Sequence, residues 1–149
     1  MSACAPKEKE HMELFQVDST FLPYVQNFEL AGVSEGKDVK ITDLIVAFGD
    51  TPSMNETGVC EIADNETPKV TINQRIWNTL SNTDRQEVVF HELGHCVLRR
   101  RHQSSEMMGF GGMTRIPESI MYPYRIPGTT YQAHIAQYHD ELFSKSNEF

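Results

Sequence analysis

Thr83-Asp84-Arg85-Gln86-Glu87-Val88-Val89-Phe90-His91-Glu92-Leu93-Gly94-His95-Cys96-Val97-Leu98 decides the reading of this chain. Thr83 and Gln86 form a Thr-x-x-Gln capping pattern. Val88, Val89, Leu93 and Val97 then recur at helical spacing, so a helix over 87–98 is predicted. Within it stands His91-Glu92-Leu93-Gly94-His95. Four residues turn a helix by about 400°, which sets His91 and His95 about 40° apart on one face and one turn apart. Two imidazoles so placed can hold one Zn²⁺. Glu92 is next to the first ligand, in place to take a proton from a water at the metal. The bland alternative is a pair of surface histidines on an amphipathic helix.

The third ligand is read from the chain after the helix. A catalytic zinc takes three protein ligands and keeps a fourth position open. His102 is the candidate and Glu106 the rival. If the helix continued through His102, that residue would lie about 10.5 Å beyond His95 along the axis. So the helix must end near 98–100 and the chain must turn back under the site. Glycine makes such turns freely, but here an arginine has to enter left-handed backbone, at a cost of about 1–2 kcal/mol.

Working outward, Ser19 and Thr20 with Pro23 predict a helix over 20–31 closed by Gly32. The β-branched run 37–48 reads as a strand, and Val59–Ala63 with Lys69–Ile72 as a hairpin across Asp64-Asn65-Glu66-Thr67-Pro68. Residues 103–119 read as a long irregular loop whose Met107, Met108 and Met113 suit an apolar substrate rim. Tyr131, Ile135, Tyr138 and Leu142 make a helical stripe over 130–143. The order gives an α+β plan, not βαβ alternation. His134 and His139 read as surface or core histidines, His139 bordering the cleft, and His11 as idle.

The chain has 149 residues, with 13 Lys and Arg against 21 Asp and Glu, a formal charge of −8. One domain fits that length, read as a flexible leader over 1–12 and a single domain over 13–149 that carries the histidine motif. The acidic balance speaks against nucleic acid as a partner, and Arg99-Arg100-Arg101 reads as a solvated helix end. No apolar run is long enough to span a membrane. Ser2-Ala3-Cys4 before a charged stretch resembles the end of a bacterial lipoprotein signal. That resemblance implies a lipid anchor on Cys4 and a place in the bacterial cell envelope, the alternative being the cytoplasm. Cys60 and Cys96 then remain as a pair that an oxidising compartment would bond; two buried free thiols are the alternative.

Downstream of His102 comes Glu118-Ser119-Ile120-Met121-Tyr122-Pro123-Tyr124. HExxH, a following His and Ser-Ile-Met-Tyr-Pro together resemble the metzincin zinc peptidases, with a matrixin-like methionine turn, over 91–124. The resemblance implies a twisted mixed sheet packed on an active-site helix and a C-terminal helix. It implies His91, His95 and His102 as ligands of one Zn²⁺, Glu92 as general base, and Met121 as the methionine of a turn beneath the metal. Pro123 and Tyr124 would line the substrate pocket, and Lys69–Ile72 would be the edge strand. The spacing departs from HExxHxxGxxH, since Leu98 stands at its Gly, Arg101 at its third His, and His102 follows one place later. The reading is a monomeric zinc endopeptidase acting on a peptide or protein substrate. Its rival is a binding protein that keeps the scaffold without turnover. Deformylases also use HExxH, but no convincing second ligand motif for them is present.

Overall fold

A computed structural model describes residues 11–144. Cys4 and most of the leader 1–12 lie outside that range. The elements run β1 (Phe15–Val17), α1 (Leu22–Ser34), β2 (Leu44–Phe48), β3 (Gly58–Glu61), β4 (Lys69–Ile72), α2 (Gln74–Trp77) and α3 (Asn82–Cys96). Then come β5 (Glu106–Met108), β6 (Arg115–Pro117), α4 (Gly128–Ala133) and α5 (Ile135–Ser144). This is an α+β fold with a mixed sheet, ordered β1-β2-β4-β3. β1 and β4 run parallel to β2, and β3 pairs antiparallel with β4, with Cys60 opposite Val70. Among the described residues no helix is long and apolar enough to cross a membrane.

The core lies between the sheet and the helices. Phe28 of α1 meets Phe90 of α3 at 5.2 Å and Phe143 of α5 at 5.0 Å, so three helices share one aromatic contact. Leu44, Val46, Val70 and Ile72 present the sheet's buried side chains. A disulfide joins Cys60 of β3 to Cys96 at the end of α3, which ties the sheet edge to the histidine helix.

Several sequence expectations shift. α1 runs past Gly32, which is buried in the helix because a side chain there would press on Val39, the Lys37 carbonyl and Phe143. The turn instead uses Gly36 at φ 81°. The run 37–48 is strand only from Leu44; the Lys37 N–H bonds back to the Gly32 carbonyl, and Val39 and Ile41 pack on the core from a loop. The hairpin forms, but β4 pairs with β2 and is interior, so the edge strand is β3 and not Lys69–Ile72. Helix α3 is capped by Ser81, two residues before the expected Thr83, and its hydroxyl accepts from the Asp84 N–H. The segment 103–119 contains the β5/β6 hairpin, reversed through Gly111 and Gly112 at positive φ. The C-terminal stripe is divided by His134 (φ −123°, ψ 26°) into α4 and α5, with Tyr131, Tyr138 and Leu142 buried as the stripe requires.

Candidate metal centre

Helix α3 presents His91 and His95 from one face. His91 Nδ1 lies 2.7 Å from the Ile120 carbonyl and His95 Nδ1 lies 2.7 Å from the Arg100 carbonyl. A carbonyl only accepts, so each Nδ1 carries the proton and each Nε2 lone pair is free to bind a cation. The third imidazole arrives by a tight return. α3 ends at Cys96, Arg99 adopts φ 59°, and the Arg100 N–H bonds back to the Gly94 carbonyl at 2.9 Å. The residue in left-handed backbone is thus an arginine, as the spacing requires. The Gln103 N–H then donates to the Met121 carbonyl at 2.8 Å and fixes the far side of the return.

The result is a cluster. His91, His95 and His102 each offer a ligand atom, and these atoms all lie within 4.8 Å of one another. Their ring centroids are 4.8 Å (His91–His95), 5.3 Å (His91–His102) and 4.8 Å (His95–His102) apart. These three histidines could hold a metal ion. Glu106 is exposed on β5 and is not in the cluster, which is the only one of its kind among the described residues.

Met121 packs against the histidine helix α3. It is fully buried, and a Cβ on Gly94 would collide with its Sδ, so glycine is what lets the helix approach. The Ser119 hydroxyl accepts from the Met121 N–H at 2.9 Å, and the Tyr122 N–H closes the turn on the Ser119 carbonyl at 3.1 Å. One turn therefore packs the helix through Met121 and orients His91 through Ile120.

A cleft of about 670 Å³ opens over the cluster. Its floor is His91, Glu92, His95 and His102; one wall is 55–60 with Ile62, and the other is Pro123, Tyr124 and Arg125. Pro123 and Tyr124 thus line the cleft above the three histidines. Gly58 matters here, because a Cβ would lie 3.1 Å from Glu92 Cγ and 3.2 Å from Glu92 Oε2. A side chain there would crowd the carboxylate, and glycine lets the edge strand approach it closely.

Burial holds His91 neutral, pushing its pKa down to about 3 against the pull of the Ile120 carbonyl; His95 and His102 are also lowered by burial. Burial pushes Glu92 up to about 8, with Glu87 and Glu56 adding to the rise. Glu87 is pushed up to about 7 by burial, against the pull of Arg125.

Other expectations are corrected. Met107, Met108 and Met113 do not line the cleft, and Met113 is exposed on the hairpin turn. His139 packs inside against Phe90, with its Nε2 2.6 Å from the Tyr131 hydroxyl, a hydrogen-bond distance. His134 is buried and stacks on Phe110, so both histidines keep the core alternative, while His139 does not border the cleft. His11 bonds to Asp43 at 2.7 Å and so is not idle. Arg100 is no solvated helix end: it is fully buried, pairs with Glu141 at 2.6 Å, and donates to the Glu141 and Leu142 carbonyls.

The sequence singled out no role at the site for Glu87, Arg125 or Gly58. For Glu87 a signal existed: it stands four residues before His91, hence on the same helix face. Arg125 follows two residues after Pro123, and nothing local marks it. Comparisons with protein-family models, with curated proteins and with solved structures returned no match.

Proposed function

We propose that the protein is a zinc endopeptidase of metzincin type, with His91, His95 and His102 as ligands and Glu92 as general base. One observation carries this reading: three imidazoles converge beside a buried carboxylate at the floor of an open cleft whose rim is a sheet edge. The donor set fits zinc, since neutral imidazoles suit a borderline-soft ion and each helix ligand is oriented by a backbone carbonyl. Three ligands leave a coordination position for chemistry. Bound zinc would supply Lewis acidity and would acidify water in that open position.

The chain's own residues supply the rest. Glu92 takes a proton from the attacking water and returns it to the leaving amine. A cation at the histidines favours its charged form and offsets the effect of burial. β3 offers unpaired backbone groups on its outer edge, which an extended peptide can meet strand to strand. Pro123 and Tyr124 stand opposite, so a peptide lies between strand and wall.

Turnover of a peptide library by zinc-loaded protein tests the reading. Cleavage should vanish with chelator and fall by about 10²–10⁴-fold in Glu92→Gln, with zinc content unchanged. Undiminished turnover in that variant would refute the mechanism.

A further inference from the structure

Glu87 lines the cleft one helical turn before His91, yet nothing in the peptidase reading uses it. It is 1% exposed. Its Oε1 accepts from the Ile126 N–H at 3.3 Å, while Oε2 is buried and makes no hydrogen bond. The nearest cation is Arg125, with Nε 3.5 Å from Glu87 Oε2 and Nη2 3.4 Å from Asp84 Oδ1. Both separations are longer than a good hydrogen bond. The Arg125 side chain is 37% exposed, so it covers Glu87 from the solvent side without being locked there.

Charge decides what this pocket accepts. With Glu87 ionised, the form that an entering cation favours, Asp84 and Glu87 carry two negative charges and Arg125 one positive. A cationic substrate group brings the set to zero, whereas a carboxylate leaves three negative charges around one guanidinium. The opposite wall adds Glu56, exposed and of the same sign as Glu87. Asp84 is also fixed by the Gly128 N–H at 2.7 Å and the Ser81 hydroxyl at 2.8 Å, so it can retain Arg125 when Glu87 takes another partner.

We propose that the pocket beside His91 binds a cationic substrate side chain, a lysine or arginine close to the scissile bond, with Glu87 as its counter-ion. The proposal deepens the peptidase reading and rests on it for the word substrate. Arg125 shifts onto Asp84, and the entering ammonium or guanidinium donates to Glu87 Oε2, the acceptor left without a hydrogen bond.

The test separates binding from turnover. Zinc-loaded Glu92→Gln protein is titrated by fluorescence anisotropy with labelled peptides that place lysine, norleucine or glutamate at each position in turn. At one position lysine should bind about 10-fold tighter than norleucine, the size of a modest charge-pair coupling. Adding Glu87→Gln should shrink that ratio below about 3-fold, and Arg125→Met, which removes the internal rival, should enlarge it. Should Glu87→Gln fail to fold, the Arg125→Met ratio still decides. Glutamate outbinding lysine would overturn the proposal, as would a lysine preference indifferent to both substitutions. If wild type cleaves nothing while the lysine preference stands, the peptidase reading fails and the pocket survives. If it cleaves without that preference, the reverse holds.

Discussion

Helix α3 and the return segment 97–103 deliver their histidines by opposite means. His91 and His95 are placed by helix geometry, and any sequence that forms this helix brings them together. His102 is placed by contacts distant in sequence. Arg99 takes φ 59°, Gln103 bonds to Met121, and the buried Arg100 side chain reaches α5 at Glu141 and Leu142. The Arg100 carbonyl also orients His95. Two of the three candidate ligands are therefore local and robust, while the third depends on the whole fold being in register.

The sharpest way to break that asymmetry is Arg100→Met. It leaves the nearly buried Glu141 carboxylate without its 2.6 Å partner and frees the return segment from α5. Losing one member of a buried pair costs about 3–5 kcal/mol. Urea denaturation should show a loss of that size, and zinc affinity should fall with it. A neutral result would detach the return segment from the metal centre.

Next in size is Gly94→Ala, within the robust half. The added methyl meets Met121, and overpacking of this kind costs about 1–3 kcal/mol. Thermal melting should register it, and a fully stable variant would show that Met121 does not abut the helix. Ser81→Ala removes the α3 cap and should cost about 1 kcal/mol, with metal affinity unchanged because the cap is far from the ligands along the helix. A change in affinity would mean that α3 is less autonomous than argued.

The smallest effect has the opposite sign. Arg99→Gly relieves left-handed backbone worth about 1–2 kcal/mol, less what glycine adds to the entropy of the unfolded chain. A net gain of about 0.5–1 kcal/mol is expected. Destabilisation would show that the Arg99 side chain does more than turn the chain.

Legibility in sequence follows the same division. The histidine helix, the β3/β4 hairpin and the C-terminal stripe were readable because their signals are periodic and local. The arginine turn was readable because a distance along a helix axis forced it. The edge strand was not, since strand order depends on which partner β4 chooses and no residue of Lys69–Ile72 records that choice. Arg100 looked like one of three surface cations; only its contact with α5, far along the chain, makes it a core residue. Nothing local in the sequence shows the partners of Asp84 and Glu87, because Arg125 and the N–H groups of Ile126 and Gly128 reach them from far along the chain.

The central claim is that His102, carried by the return segment, completes one metal site with His91 and His95. Zinc titration of wild type, His102→Ala and Glu106→Ala, followed by X-ray absorption at the zinc edge, tests it most directly. Wild type and Glu106→Ala should each hold one zinc per chain with three imidazole nitrogens. His102→Ala should show two imidazoles and an affinity loss beyond the about 10–100-fold typical of losing a group that only orients a ligand. Full affinity in His102→Ala, or a loss confined to Glu106→Ala, would contradict it.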